Sequence, residues 1–298
     1  MFVLLAMGTS LIAQTTTAPS SGDGSSGAPY QIGTLSNLYW ITQNPDKWDA
    51  YYIQTANIDA SSTISWDGGA GLTPIGNSST KFTGWYDGDG YTISNLFINR
   101  PSTDYVGLFG YTQGATLRDL GVTSVIITGA DYVGALVGHN RFAKTTVSNC
   151  YSTGSVSGTD NVGGLIGYAH PASIGNCYST CSVTGSGDIV GGLVAYTRGN
   201  STTVSNCYST GSVTGNGSVG GLLGYHYQGT VSNCYSTGSV TGASDVGGLV
   251  GYLKTNSIVS NSFYNSTTSG QSDTGKGTPK TTAEMKVASP FTAAGWDF

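Results

Sequence analysis

The sequence predicts an all-β fold, a parallel β-helix (β-solenoid) of about seven coils of roughly 28 residues with an N-terminal β cap. The first observation behind this prediction is a short glycine-framed phrase, as in residues 162–168, that has a leucine at its centre. Successive leucines are 28, 29, 28, 29 and 27 residues apart, at Leu108, Leu136, Leu165, Leu193, Leu222 and Leu249. A fixed period of this size is typical of units that bury their apolar faces by stacking on one another.

Two further observations support the same fold class. A second phrase, Asn-Cys-Tyr-Ser-Thr, runs in phase with the first, and its asparagines are Asn149, Asn176, Asn206 and Asn233. Charged residues make up only 9% of the chain, while there are 46 glycines and 19 tyrosines, which favours short strands and turns over helices. The net charge of −5 argues against a nucleic-acid partner, because binding to phosphates requires a basic patch.

The chain divides into five predicted segments. Residues 1–13 form an apolar run that is typical of a secretory signal peptide and too short to span a bilayer. No lysine or arginine precedes this run, so its start could be truncated, and a buried N-terminal strand is the alternative interpretation. A Thr/Ser/Gly-rich stretch, residues 14–29, is predicted to be a disordered linker. The remaining segments are a capping region, the repeats and a C-terminal tail that could also be truncated: residues 30–81, 82–270 and 271–298.

Both ends of a solenoid expose an apolar cross-section, so atypical capping units are expected there. In the N-terminal region, residues 38–41 and 51–55 alternate like strands, and this alternation predicts a β cap. In the C-terminal tail, Thr281 and Glu284 have the spacing of a capping box, which predicts a short helix.

The asparagine of each repeat is predicted to take a left-handed bend and to form a ladder with its copies. Alternation after the bend points Cys150, Ser152, Gly154 and Val156 inward. Leu165 falls on the opposite face from its apolar neighbours, so either a glycine bulge turns it inward or another element covers it. The intervening side chains form three outward columns, which are the candidate binding residues: Tyr151, Tyr178, Tyr208 and Tyr235; Thr153, Thr180, Thr210 and Thr237; Ser155, Ser182, Ser212 and Ser239.

Four of the five cysteines occupy one repeat position, where the upstream copies have Leu96 and Leu120. Free cysteine behaves as a small apolar side chain, so this position predicts a column of buried thiols, with disulfides between coils as the alternative. Cys181 stands where other repeats have glycine. A zinc site is not expected, because ligands one coil apart lie in a line rather than a tetrahedron.

A Gly-Leu-apolar-Gly core stands at residues 107–110, 164–167, 221–224 and 248–251. These residues resemble the GLUG-motif family of bacterial surface proteins, which is named for this core. The resemblance covers roughly residues 30–298 and implies a β-solenoid in a secreted or cell-surface, adhesin-like protein. Some members of the family stand beside the protease domain of immunoglobulin-A peptidases, but the His-Glu-x-x-His motif of that protease does not occur in this sequence.

Aspartates recur just before the glycine-framed phrase, at Asp104, Asp131, Asp160 and Asp188. Stacked carboxylates repel one another and bound calcium would relieve that repulsion, so calcium is a candidate cofactor. The favoured interpretation is that each aspartate begins a turn by accepting a hydrogen bond from its own backbone, which needs no cofactor. Turn chemistry is also favoured for Asp87 and Asp89, with a calcium loop or a pair of acids as the alternatives.

Three functions are compatible with the sequence. The favoured one is a secreted or cell-surface, adhesin-like rod without catalytic activity, whose partner is an extracellular protein or glycan. The second is carbohydrate or ice binding through the exposed columns, and the third is a β-helix carbohydrate-active enzyme. No catalytic motif is found, and the three histidines lie at dissimilar repeat positions. The sequence predicts neither a nucleic-acid partner nor a membrane span.

Overall fold

A computed structural model describes residues 14–295, so the expected signal peptide and the last three residues lie outside the described part. The chain winds into a stack of coils in which every pair of strands in the sheets is parallel, and the strands form four sheets along the rod. Each full coil passes through sheets 1, 2, 3 and 4 in that order and then returns to sheet 1. The parallel β-solenoid is therefore confirmed.

Sheet 1 has nine strands and sheet 2 has thirteen. The strands of sheet 1 are Tyr30–Ile32, Tyr51–Gln54, Trp85–Asp87, Thr116–Arg118, Thr145–Ser148, Ala172–Gly175, Thr203–Ser205, Gly229–Ser232 and Ser257–Ser260. The strands of sheet 2 are Ile58–Asp59, Thr92–Ser94, Phe97–Asn99, Gly121–Thr128, Tyr151–Gly158, Tyr178–Ser179, Ser182–Gly185, Tyr208–Ser209, Val213–Thr214, Tyr235–Ser236, Val240–Thr241, Phe263–Asn265 and Thr278–Lys280.

Sheets 3 and 4 both come from the glycine-framed phrase. Sheet 3 has five strands, Val133–Gly134, Val162–Gly163, Val190–Gly191, Val219–Gly220 and Val246–Gly247. Sheet 4 has six, Phe109–Thr112, Val137–Asn140, Ile166–Ala169, Val194–Arg198, Leu223–Tyr227 and Val250–Leu253. The rod thus has about six turns, slightly fewer than the seven expected, because the most degenerate copies of the repeat belong to incomplete turns at the two ends.

The core is filled by columns of side chains that repeat from coil to coil. The six phrase leucines are fully buried. Val162 and Ile166 are buried as well, so all the apolar rows of the phrase face inward. The chain bends between sheets 3 and 4 at Gly164, where an added Cβ would lie 2.2 Å from the carbonyl oxygen of Gly192. This bend settles the sequence ambiguity at Leu165 in favour of a glycine turn.

The repeat asparagines form the bend between sheets 1 and 2, as the sequence predicts. Each has a positive φ, close to 55° at Asn149, Asn176 and Asn206. Asn176 donates its side-chain amide to the side-chain oxygen of Asn149 at 3.1 Å, and Asn206 donates in the same way to Asn176 at 3.2 Å. The left-handed conformation that asparagine tolerates, together with this ladder, explains why the residue recurs.

The cysteine column is buried and contains free thiols. Cys150, Cys177, Cys207 and Cys234 are each at most 1% exposed, and Cys181 is also buried. All five are free cysteines, which confirms the prediction of buried thiols. Burial raises the pKa of the Cys150 and Cys207 thiols because it disfavours the thiolate.

The N-terminal end is closed by a helix as well as by strands. An α-helix, Leu35–Gln43, covers residues that alternate like a strand in the sequence, and Thr34 caps it by accepting the N–H of Asn37. Its buried Leu38 and Ile41 join the core. Three 3-10 helices follow in the same region, Pro45–Lys47, Ser61–Ser65 and Asp67–Gly69.

The stretch expected to be a disordered linker, residues 14–29, lies against this cap. The N–H of Thr17 donates to the carbonyl of Ser36, and the N–H of Gln31 donates to the carbonyl of Ser21. Backbone hydrogen bonds to the edge of the cap hold the stretch in place, an effect that composition alone does not reveal.

The C-terminal tail closes the other end, partly with a strand and partly with side chains. Sheet 2 continues into the tail strand Thr278–Lys280. Over sheets 3 and 4, Lys276 Nζ donates to the carbonyl of Gly251 at 2.6 Å, and the Asp273 carboxylate accepts the N–H of Gly248 at 3.1 Å. The helical elements of the tail are short: Ser266–Ser269, Glu284–Lys286 and Ser289–Thr292. The reciprocal contacts of the expected capping box are present, from the N–H of Thr281 to Glu284 and back.

Candidate binding surfaces

The tyrosine column predicted from the sequence forms a continuous stack on sheet 2. The rings of Tyr151 and Tyr178 have centroids 4.8 Å apart and an interplanar angle of 7°. Tyr178 and Tyr208 are separated by 4.7 Å at 2°, and Tyr208 and Tyr235 by 4.9 Å at 6°. Because each inner ring is covered on both faces by its neighbours, the stack presents ring edges and hydroxyl groups to solvent. A groove of about 430 Å³ runs between this stack and the asparagine ladder, and Gly295 of the tail also lines it.

The threonine and serine columns lie beside the tyrosines and are all at least partly exposed. They do not form one flat face. In the later coils sheet 2 is interrupted between Tyr178–Ser179 and Ser182–Gly185, so the threonine lies at a bend and the serine on the following facet. The hydroxyl groups of Ser182 and Ser212 are 3.0 Å apart, whereas Thr153 accepts the N–H of Ser124.

The inward position predicted for Gly154 is wrong. Gly154 is exposed and has a φ of +123°, because the strand Tyr151–Gly158 shifts register against its predecessor between Ser152 and Gly154. The other three inward residues of that prediction, Cys150, Ser152 and Val156, are buried. A bulge in one strand therefore breaks the alternation at a single position.

Sheet 4 carries a second aromatic column that the sequence reasoning missed. In register along the rod, its members are Tyr111, His139, Tyr168, Tyr196, Tyr225 and Tyr252. These rings do not stack regularly, since the interplanar angle is 86° between Tyr168 and Tyr196 and 60° between Tyr196 and Tyr225. His139 is enclosed by four tyrosine rings and stacks on Tyr168 at 4.6 Å. Burial, with smaller contributions from Arg141 and His170, lowers the pKa of His139 to about 3, so its ring is neutral near pH 7.

A cationic column runs parallel to the sheet 4 aromatic column, two residues further along each coil. Asn140, Ala169, Thr197, His226 and Leu253 pair in register, and the residues that follow them are Arg141, His170, Arg198, Tyr227 and Lys254. Arg141, Arg198 and Lys254 are exposed, and none of them forms a salt bridge with a carboxylate of residues 14–295. Their identities differ from coil to coil, so a search for repeated residue types does not find them. Each of these positions lies five residues after the leucine of the glycine-framed phrase, and this constant offset is the sequence signal that places them together.

The aspartate column lies at the corner between sheets 2 and 3. The Asp104 carboxylate accepts the N–H of Asp131 at 3.2 Å, and the Asp131 carboxylate accepts that of Asp160 at 3.2 Å. The Asp160 carboxylate accepts the N–H of Asp188 at 2.7 Å. Each of these carboxylates therefore bonds to the backbone of the next coil rather than to its own turn. Burial and the charges of its two neighbours raise the pKa of Asp131.

Asp87 and Asp89 lie at the end of a sheet 1 strand. The Asp87 carboxylate accepts from the Arg118 guanidinium at 2.9 Å and from the N–H of Asp89 at 2.9 Å. The hydrogen bond from Asp89 belongs to the turn, and the second contact of the Asp87 carboxylate is the ion pair with Arg118. Within residues 14–295, no group of three or more His, Cys, Asp or Glu side chains is placed to hold a metal ion. The other buried histidine, His226, has a pKa lowered to about 4 by burial, and Thr197 bonds to its Nδ1 at 2.6 Å.

Comparisons with known proteins agree with the repeat pattern. The family model "The GLUG motif" matches residues 129–157 and 215–241. Over 156 residues, 51% of this chain is 38% identical to halomucin of Haloquadratum walsbyi. A protein of Evansella cellulosilytica, provisionally named a Gly-rich membrane protein, is 32% identical over 380 aligned positions that cover 94% of this chain. The chain spans only 2% of the first relative and 44% of the second.

A solved structure shows the same fold. It belongs to a Bacteroides ovatus protein provisionally named an immunoglobulin A1 protease, and the TM-score is 0.56 over 82% of this chain and 68% of that one. At 21% identity this likeness concerns the fold alone. Within residues 14–295, none of the helices has the length and hydropathy that a membrane span requires.

Proposed function

We propose that this GLUG-motif repeat protein acts as a secreted or cell-surface, adhesin-like rod that binds an extracellular partner without catalysing a reaction. The observation that carries the proposal is the in-register order of its exposed side chains. One residue type, such as the tyrosine of Tyr151, Tyr178, Tyr208 and Tyr235, recurs at the spacing of the coils. Such an array offers many equivalent contacts to a partner, and several weak contacts made together give strong attachment.

The names of the relatives support a location outside the cell. Halomucin and a Gly-rich membrane protein both carry names of the surface or membrane type, and this chain shares a repeat with them. The localisation of this chain is proposed by analogy with them.

The non-catalytic character is proposed from the state of the titratable groups. The most buried histidines, His139 and His226, have lowered pKa values, and neither forms a salt bridge with a carboxylate in the described residues 14–295. The Asp160 carboxylate is bonded to a backbone N–H, and the Asp87 carboxylate is bonded to Arg118 as well. Groups held in this way are poorly placed to transfer protons to a substrate.

The test is to coat beads with the purified chain and measure their retention on immobilised glycans, glycoproteins and cells. We expect saturable retention that soluble protein competes for. The same ligands should remain intact after long incubation, when new reducing ends and new amino termini are measured. Turnover that a single substitution such as Asp87→Asn abolishes would overturn the non-catalytic role, and beads that no surface retains would overturn the adhesive role.

A second candidate function is carbohydrate or ice binding through the sheet 2 columns. Two observations favour this candidate. A groove of about 430 Å³ lies beside the tyrosine stack, and the threonine and serine columns next to that stack have exposed side chains. Thr180→Tyr and Thr210→Tyr place bulk on this surface at exposed positions. Each variant should abolish binding on a glycan array or in an ice-affinity assay while the melting temperature stays unchanged. Wild-type protein that binds neither ligand would contradict this candidate.

A further inference from the structure

The outer face of sheet 4 combines exposed cations with aromatic rings. Residues two apart on a strand point to the same side, so the column of Arg141, Arg198 and Lys254 lies beside the sheet 4 aromatic column. The Arg198 guanidinium lies 5.3 Å from the centre of the Tyr227 ring. The two columns therefore form one continuous surface, which we call the cation–tyrosine strip.

No salt bridge to a carboxylate of residues 14–295 neutralises the charge of this strip. Elsewhere on the rod, Arg100 pairs with Asp67 and Arg118 with Asp87. The loops that carry the strip, residues 141–144, 170–171, 198–202 and 254–256, contain no aspartate or glutamate. In a chain with a net charge of −5, three exposed and unpaired cations in one line are a local reversal of charge.

We propose that the cation–tyrosine strip binds an acidic polysaccharide whose chain lies along the axis of the rod. The inference rests on the proposed binding role and assigns a ligand class to a surface where residue patterns predict no binding residue. Carboxylate or sulfate groups of the polymer contact Arg141, Arg198 and Lys254 through charge-assisted hydrogen bonds. The sugar rings lie over the half-exposed ring of Tyr196, which is turned by 60° from Tyr225, and over the exposed edges of Tyr225 and Tyr252, whose rings stack at 23°.

The spacing of the cations favours a polysaccharide over a nucleic acid. Arg141 and Lys254 are four coils apart, which is about 19 Å at a rise of roughly 4.8 Å per coil. Three cations over that distance match a polymer that carries one charge every sugar or two. Duplex DNA carries a charge about every 1.7 Å, and its binding depends on neutralising many phosphates. A chain with so few cations is poorly matched to it.

The aspartate column gives the bound polymer a preferred orientation. Tyr132, next to Asp131, contacts His139 of the sheet 4 aromatic column at 4.8 Å. In this coil Asp131 therefore lies toward one side of the aromatic column, and Arg141 lies toward the other. The acidic groups of the polymer are repelled by the aspartates and attracted by the cations. The polymer therefore binds with its acidic groups turned toward the cations.

The experiment measures binding of the full chain to heparin as a sulfated probe and to alginate as a carboxylated probe, with dextran as the neutral control. We expect binding to both acidic polymers and none to dextran, and the affinity should fall steeply as salt rises from 50 to 500 mM. The triple variant Arg141→Gln/Arg198→Gln/Lys254→Gln should lose at least tenfold in affinity. The matched variant Lys47→Gln/Lys280→Gln/Lys286→Gln has the same change in net charge and should stay within twofold of wild type.

A second pair of variants separates the tyrosine contribution from charge. Tyr225→Leu in the strip should weaken binding about threefold to fivefold, whereas Tyr91→Leu, at a partly exposed position outside both aromatic columns, should leave it unchanged. Circular dichroism confirms that each variant is folded before its affinity is compared.

Four results would overturn the inference. They are no binding of wild type to either acidic polymer at 50 mM salt, equal binding by the two triple variants, equal binding by the two tyrosine variants, or tighter binding of single-stranded or duplex DNA. If wild type binds neither acidic polymer but is retained on neutral glycans or proteins, this inference fails and the proposed function stands. Cleavage of the polymers would overturn the proposed function itself.

Discussion

The two aromatic columns of the rod are built on the same spacing but reach different states. On sheet 2 the tyrosines of four consecutive coils stack at 4.7–4.9 Å with interplanar angles of 2–7°. On sheet 4 the rings are just as close, yet their planes differ by 60° or more in the middle of the column. Strand spacing sets the distance between rings, and the neighbouring side chains decide how the rings turn.

The difference shows how one repeat can produce two kinds of aromatic surface. The sheet 2 stack follows the asparagine ladder closely, and the same residues surround every ring, so each tyrosine adopts the same conformation as the next. On sheet 4 the surroundings change from coil to coil, with His139 in one and Arg198 beside another. Uniform neighbours give a regular stack that covers its own ring faces, and varied neighbours leave ring faces and charges accessible.

The largest expected effect comes from breaking both columns together. Gly191 precedes the turn between sheets 3 and 4, and an added Cβ there would lie 2.0 Å from the carbonyl oxygen of Val194. Gly191→Val should lower the free energy of unfolding by more than about 4 kcal/mol, because backbone atoms must move in a packed array. Urea denaturation followed by tyrosine fluorescence measures this. The control is Gly27→Ala, where no atom lies within 4 Å of the added group, and it should be neutral.

The next effect acts on the sheet 4 column alone and depends on pH. The pKa of His139 is lowered to about 3, below its ordinary value of 6.5. The folded protein holds this ring in its neutral form, so protonation opposes folding. The contribution of His139 to the free energy of unfolding is therefore fully present above pH 6.5 and is lost as pH falls toward 3. We expect the free energy of unfolding to fall by about 2–3 kcal/mol between pH 7 and pH 4 from this group. His139→Tyr, which matches the rest of the column, should flatten the profile, and an unchanged profile would contradict the assignment.

A smaller loss is expected when the ladder beside the sheet 2 stack is interrupted. Asn176 has a φ of 55°, donates to Asn149 and accepts from Asn206. Asn176→Ala should cost about 1–2 kcal/mol, since alanine disfavours the left-handed conformation and removes both hydrogen bonds. Chemical denaturation of this variant and of Asn200→Ala, at an exposed loop position, gives the comparison. Equal stabilities would mean that the ladder contributes nothing.

The smallest effect sharpens the contrast between the columns. Tyr208→Leu removes two stacked contacts and Tyr225→Leu removes two less regular ones, so both should lower stability by about 1 kcal/mol. Differential scanning calorimetry measures the change in melting temperature. Stability losses of similar size would show that ring orientation matters little for folding, which leaves ligand contact as the difference between the surfaces.

The parts of the fold that repeat exactly could be predicted from the sequence. The leucine and cysteine columns, the asparagine bend and the outward tyrosines follow from period and alternation, because each coil places the same residue in the same surroundings. Gly154 departs from the prediction because a shift in register at one strand changes which side it faces. The helix Leu35–Gln43 departs from it because its cap at Thr34 and its burial against the first coil outweigh the strand preference of its aromatic residues.

The cation–tyrosine strip could not be predicted from residue types. Arg141, His170, Arg198, Tyr227 and Lys254 share a register but no chemistry as a set, and the loops that follow them differ in length. Their constant offset from the phrase leucines and the paired strands show that they form one line. The role of the predicted tyrosine, threonine and serine columns as a binding surface remains a prediction.

The parallel pairing of coils has a mechanical consequence. Hydrogen bonds between successive coils lie along the rod axis, so tension applied between the two ends loads them one coil at a time. Each coil adds about 4.8 Å to the folded rod, but its roughly 28 residues span about 90 Å when extended. A tether made of such coils would lengthen in discrete steps under load and would dissipate work at each release, so that a cell held by it could be pulled without immediate detachment.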